Sequence, residues 1–265
     1  MPAAELAAYL GIGAVVGFFA GLLGIGGGII IVSSLALMFA AHSFAPEHVM
    51  HLAIGTSLAA IVFGSFSSMR AHHRHGAVDW GIVRRMTPGL LAGVLAGAIA
   101  ARFVSNAFLK YFFLGFTLFV TAQMVFNLRP APSRQLPGDA ALTFLALVIG
   151  ICSSLFGGGA AAVGVPFLTW CNVSTHRAIG TVAAMGFPVA IAGALGYVIA
   201  GWGVGGLPPW SLGFVYVPAF VGISLTSMAT APLGARLAHR LKGATLRRIF
   251  AVFLILMGVK VAISV

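Results

Sequence analysis

The chain has 265 residues, 60% of them hydrophobic and 7% charged, with a mean hydropathy of +1.07. Soluble domains carry about 25% charged residues, so this composition leaves too little polar surface for a water-soluble fold. The net charge of +11 falls in short stretches between apolar runs. That pattern reads as a membrane topology signal and argues against a nucleic-acid partner.

In chain order, apolar segments lie near 7–24, 27–41, 52–70, 86–104 and 108–127, then near 140–156, 160–171, 177–200, 211–231 and 245–264. Runs this continuous specify helices and not the alternating strands of a β-barrel. The expected fold is all-α, a polytopic membrane protein with about ten apolar segments, in contact with the lipid bilayer. The opening "MPAAELAAYL" has an acidic residue and no basic stretch, so it reads as the start of the first segment and not as a cleaved signal. Pro88 is expected to open the fourth segment and Pro218 the ninth. Cys152 and Cys171 lie in apolar segments and read as small core side chains, with no disulfide, metal or cofactor expected.

The chain repeats itself. "GIGGG" (24–28) recurs as "LFGGG" (155–159), "HLAIGTS" (51–57) as "HRAIGTV" (176–182), and "FLKYFF" (108–113) as "TLRRIF" (245–250), in the same order. This predicts a first transmembrane repeat over 1–127, a cytoplasmic linker over 128–139 and a second repeat over 140–265. Three prolines between 127 and 139 give the linker its composition. Five segments per repeat make the second copy inverted. If the loops holding Arg70, Arg74, Arg84 and Arg85 and holding Arg236, Arg240, Lys242, Arg247 and Arg248 are cytoplasmic, then so are Arg129, Arg134 and Arg177. Only Arg102, Lys110 and Lys260 are left outside, and both termini are outside. The uncharged loop "GWGVGGLPPWS" (201–211), with two tryptophans, suits an outer interface. Four spans per copy, arranged as a parallel repeat, is the alternative topology.

The second segment of each copy is too short to cross about 30 Å of hydrocarbon, and each follows the glycines. Interrupted segments at matching positions of two repeats point to a transport site. A helix starting after a triple glycine offers free N–H groups and the positive end of a dipole, an anion site that needs no charged side chain. Gly26, Gly27, Gly28, Gly157, Gly158 and Gly159 are therefore candidate substrate-binding residues. The bland alternative is helix packing. That reading suits Gly13, Gly17 and Gly21, and Gly89, Gly93 and Gly97, which recur every four residues. Thr56, Ser57, Thr181, Ser153 and Ser154 could bind an oxyanion through their hydroxyls, or else cap and back-bond helices. His51, His176 and Arg177 are candidate groups at the two mouths, or else interfacial helix ends. "RAHHRHG" (70–76) has metal-like histidine density but no acidic or cysteine partner, and reads as a solvated face. The four acidic residues, Glu5, Glu47, Asp79 and Asp139, lie in loops or at segment ends. That argues against a carboxylate proton relay or cation site and leaves room for a small anionic substrate.

At "GLLGIGGGIIIV", "SSLFGGGAAAVGVPFL", the HLAIGTS/HRAIGTV pair and "PLGARLAHRLKGATLRRIFAVFLILMGVKV", the sequence resembles the TauE/SafE sulfite exporter family, also called toluene sulfonate uptake permeases. The resemblance covers essentially the full length. Ser34-Leu35 of the first copy departs from Val165-Pro166 of the second. What the resemblance implies is a bacterial inner-membrane secondary transporter of a small anion, such as sulfite or sulfoacetate, and not an enzyme. An anion channel, or a carrier for small carboxylates, is the alternative. A homo-oligomer is compatible with the chain.

Overall fold

The computed structural model describes residues 3–23, 27–42, 44–126, 135–158, 160–238 and 243–264. Among them, ten α-helices follow in order: α1 (Ala3–Leu23), α2 (Gly28–Ala41), α3 (Val49–Arg74), α4 (Trp80–Ala100), α5 (Asn106–Val125), α6 (Asp139–Phe156), α7 (Ala161–Trp170), α8 (Thr175–Ala200), α9 (Val217–Ala238) and α10 (Gly243–Ser264). A 3₁₀ turn, Ala101–Phe103, extends α4. A two-residue hairpin, β1 (Ser211–Leu212) and β2 (Val215–Tyr216), precedes α9. The fold is that of an all-α polytopic membrane protein. Helices α3, α4 with its 3₁₀ extension, α6 and α8 are long and apolar enough to cross a bilayer.

Two helix starts differ by six residues from the sequence reading, and α9 runs on to Ala238 where the sequence sets its end near 231. Pro88 does not open α4. The helix starts at Trp80, where the Asp79 carboxylate accepts hydrogen bonds from Gly81 N (3.1 Å) and Ile82 N (3.2 Å), and Pro88 lies inside it. An aspartate with free main-chain donors ahead of it is a strong helix start, and Arg84 and Arg85 hid that start by lowering the local hydropathy. Helix α9 begins at Val217 and not at 211, because the hairpin occupies the residues between; Pro218 falls in its first turn, where its missing N–H costs nothing.

Helix α1 packs along α9, and α6 along α4; α4 packs on α8, and α3 on α9; α2 packs on α3, and α7 on α8. Helices α3 and α8 pack on each other, as do α5 and α10. These pairings convert into one another, or into themselves, when helix numbers are shifted by five; α2 also packs on α10, a contact without an equal counterpart in the shifted set. The glycine series serve the long contacts. Gly13 and Gly17 of α1 receive Thr226 and Thr230 of α9, and Gly89 and Gly93 of α4 receive the carbonyls of Thr143 and Leu147 of α6. A Cβ at any of these would overlap its neighbour, so small residues let the backbones meet.

Helices α3 and α8 run antiparallel. Near the start of α3, a Cβ on Gly55 would lie 3.0 Å from Tyr197 Cβ, near the end of α8; near the start of α8, one on Gly180 would lie 2.5 Å from Ala77 O, just past the end of α3. The loops therefore gather at two ends. The tryptophan end holds the start of α3, the 3₁₀ turn, the hairpin, and Trp202, whose carbonyl accepts from Arg102 at 3.3 Å. Glu5 beside His42 (3.7 Å) places the start of α1 there, and Lys110 Nζ donating to Ala262 O (3.0 Å) places the end of α10 there. The arginine end holds the α3–α4 connection, the start of α8, and the residues before α6. There Arg85 donates to Pro137 O at 3.1 Å and pairs with Asp139.

Candidate functional site

Helices α2 and α7 have 14 and 10 residues. At 1.5 Å per residue they span about 21 and about 15 Å, well short of the hydrocarbon thickness. Each runs between the glycines and one end of the molecule, α2 to the tryptophan end and α7 to the arginine end. The glycines supply the reversals. Gly27 has φ +65° immediately before α2, and Gly157 has φ +71° where it caps α6, its N–H donating to Ser153 O at 3.1 Å. Left-handed backbone is where glycine has no steric cost.

The two turns meet. Gly28 lies against the carbonyl of Gly157, and a Cβ on it would fall 2.6 Å from Gly158 Cα. Behind them the fit is equally close. A Cβ on Gly157 would lie 2.7 Å from Val32 Cγ2, and Gly158 lies beneath the Phe156 ring, itself stacked on Phe116 at 3.9 Å. Gly26 and Gly159 lie outside the described residues.

Ser57, about two turns into α3, joins the pair. Its hydroxyl is 3.0 Å from Gly157 O and 3.2 Å from Gly28 O. One proton serves two carbonyls, so it donates to either turn. Ser33 of α2 donates to Ile29 O at 2.9 Å, Ser154 of α6 to Ile151 O at 2.8 Å, and Tyr197 donates its hydroxyl to Ser154 O at 3.1 Å. Ser33, Ser57, Ser153 and Ser154 are all buried, as are Gly28, Ile29 and Ile30, whose N–H groups open α2. The first intrahelical bond there is Ile31 N to Gly27 O, so the earlier donors have no acceptor within the helix. The region is a buried island of hydroxyls and main-chain dipoles. Among the described residues its nearest charged side chains are at the two ends of the molecule. Tyr197, Ser33 and Phe156 carried no sequence signal beyond Phe156 preceding the glycines.

The threonines lie apart from the turns, and the structure gives them a second task. Tyr216 N donates to Thr56 Oγ1 at 2.9 Å, and Asp79 N donates to Thr181 Oγ1 at 2.9 Å. Tyr216 and Asp79 are the residues just before α9 and α4. Thus each third helix of a half receives the entry of the other half's fourth helix, with a glycine (Gly55, Gly180) beside the threonine to admit the backbone. Each hydroxyl keeps its own proton free to donate. The Tyr216 phenol is pushed up from its ordinary value by burial, aided by the Glu5 charge, and stays neutral.

The mouth candidates separate. His176 and Arg177 are exposed at the arginine end, with Arg177 Nη2 3.7 Å from Asp79 Oδ2. His51 is only 3% exposed, its ring against Phe214 at 4.9 Å. It lies inside the packing of the tryptophan end and not at an open mouth. In the 70–76 run, His73 Nδ1 accepts from Trp80 Nε1 at 3.3 Å, and no cluster of three or more metal-ligating side chains occurs among the described residues.

A family model described as "Sulfite exporter TauE/SafE" matches residues 9–261. A probable membrane transporter protein of Haemophilus influenzae is 32% identical over 253 residues, 94% of each chain. The probable membrane transporter protein YunE of Bacillus subtilis is 25% identical over 271 residues, 93% of each chain. No solved structure matches the chain.

Proposed function

The chain belongs to the sulfite exporter TauE/SafE family, and on that premise we propose that it is a secondary transporter moving a small anion by alternating access. The substrate class is a sulfur oxyanion or organosulfonate such as sulfite or sulfoacetate, and the setting is a bacterial inner membrane. That it is a membrane transporter follows from the family and its relatives; the anion and the mechanism are the proposal. The observation that carries it is the meeting of two glycine turns inside the fold, tied by Ser57 and surrounded by hydroxyls. Anions are held in such places by main-chain N–H groups and hydroxyls, which are stronger where water is excluded. Irregular backbone inside a membrane persists only when buried in protein or lining a cavity.

With Gly28 on Gly157, backbone meets backbone and no anion fits between them. In this reading the touching turns are a closed form. Substrate parts them, takes over the Ser57 proton from the carbonyls, and rests beside the start of α2 with Ser153 and Ser154 near it. The antiparallel course of α3 and α8, and the five-helix shift that relates the packing, support two inverted repeats as the moving bodies. The arginine end faces the cytoplasm and both termini lie outside, by the excess of arginine in its loops.

The test is uptake of labelled sulfite and sulfoacetate into proteoliposomes. Ser57→Ala removes the tie without adding bulk and is expected to fold and to lower the transport rate by about tenfold or more. Gly28→Ala forces the turns apart and is expected to abolish transport. Wild-type rates in both variants would place the site elsewhere.

A further inference from the structure

Every acidic side chain lies at an end of the chain's membrane segments or in a loop, so a proton-driven carrier built on this sequence has no intramembrane carboxylate to use. Among the described residues, the one buried imidazole is that of His51. Its Nε2 lies 3.0 Å from Ala101 O and 3.1 Å from Val104 O, so Nε2 carries the proton and donates to the carbonyls that end α4. Its Nδ1 is buried and accepts no hydrogen bond. A buried acceptor without a donor is costly. An asparagine or glutamine amide could tie α3 to these carbonyls as well, so the tie alone does not account for an imidazole.

The surroundings offer a route to that nitrogen. His48, half-buried on the preceding turn, has its ring 6.1 Å from the His51 ring, and both rings rest on Phe214, at 5.7 and 4.9 Å. Phe214 belongs to the hairpin that docks at Gly55 and Thr56. The other titratable or charged groups on the elements packed here are Glu47, Arg102, Lys110, Tyr197 and Tyr216. Glu47 is exposed, Arg102 bonds Trp202 O, Lys110 bonds Ala262 O, and Tyr197 bonds Ser154 O. Among the described residues, no carboxylate pairs with the ring to hold it permanently charged.

We propose that His51 is the proton-binding site through which this carrier is coupled to a proton gradient, loaded from the tryptophan end by way of His48. The proton adds to Nδ1 while Nε2 keeps its bonds to Ala101 and Val104. The imidazolium that forms lies against Phe214, inside the contact that closes this end, and so charge is felt where the two halves must separate. The proposal rests on the transport reading, and the test keeps the two apart.

His51→Gln retains a donor for the carbonyls and cannot titrate. In proteoliposomes it is expected to exchange internal for external labelled sulfite at close to the wild-type rate. Accumulation driven by an imposed pH gradient is expected to fall by about tenfold or more. Gradient-driven accumulation that survives in His51→Gln overturns the proposal. If neither protein exchanges sulfite or sulfoacetate, the substrate reading fails and a second measurement decides on the proton. Histidine ¹⁵N spectra of the wild-type protein, with the His51 signal assigned by its loss in His51→Gln, are expected to show Nδ1 passing from acceptor to protonated donor as pH falls to about 4. An Nδ1 that stays unprotonated to that pH overturns it as well. His48→Gln is expected to slow gradient-driven uptake and leave exchange intact.

Discussion

The same docking device occurs at both ends of the molecule, in opposite company. At the tryptophan end, Gly55 and Thr56 of α3 receive the main chain of Phe214 and Tyr216; at the arginine end, Gly180 and Thr181 of α8 receive that of Ala77 and Asp79. The backbone geometry matches: a glycine admits a carbonyl, and the next threonine accepts an N–H two residues on. The side chains do not match. Phe214, Val215 and Tyr216 are all buried, and Tyr9, Phe39 and Phe44 pack their rings around Tyr216. Ala77 and Val78 are also buried, but they are bracketed by exposed Gly76 and partly exposed Asp79, the latter facing Arg177. A fold can conserve a main-chain dock while letting one end become an aromatic seal and the other a hydrated one.

The largest effect expected from this contrast comes from filling the glycines. Gly55→Ala drives a methyl into the Phe214 carbonyl and against Tyr197, in a site with no room to yield, and is expected to cost about 2–3 kcal/mol. Gly180→Ala meets Ala77, in the α3–α4 connection, whose backbone can shift toward water, and is expected to cost about 1 kcal/mol. Unfolding of the detergent-solubilised proteins measures both. Equal losses would show that the two docks are equally rigid and remove the distinction between seal and hydrated end.

A smaller effect is expected from the threonines. Thr56→Val leaves the buried Tyr216 N–H without an acceptor, at a cost of about 1–3 kcal/mol. Thr181→Val strands Asp79 N, which is partly buried and open to water, and is expected to cost under about 1 kcal/mol. A larger loss at Thr181 would reverse the comparison.

These docks also mark where sequence reading stopped. The sequence places α2 within a residue, and the long apolar runs of α6 and α8 within two, because hydropathy reports burial in lipid or protein directly. The hydropathy pattern sets the start of α4 too late because its first turns carry Arg84 and Arg85, and a cap such as Asp79 is a local hydrogen-bond feature that hydropathy does not register. The GT pairs were legible as a repeat, but their partners are 160 and 102 residues away. No local pattern encodes a contact of that range, so the hydroxyls read as ligands or caps. The glycine turns were legible as breaks with a transport-site signature. That Gly28 lies directly on Gly157 was not, since contact between backbones leaves no side-chain trace except the glycine itself.

The smallest stability effect is expected at the Arg177–Asp79 pair, and it is the most informative about the open end. The guanidinium is 58% exposed and 3.7 Å from its partner, so the pair is screened by water and salt and contributes about 0–1 kcal/mol. Arg177→Ala is therefore expected to leave the unfolding midpoint within error. Its charge can still raise the local concentration of an anion entering from the arginine end. KM for sulfite presented from that side is expected to rise by about two- to fivefold, and the difference from wild type to shrink in high salt. The matching change at the tryptophan end has no counterpart to test, because His51 lies behind Phe214 and does not face an anion entering from that end. If Arg177→Ala alters neither stability nor KM, the hydrated dock is open without being an entrance, and the contrast between the ends is one of packing alone.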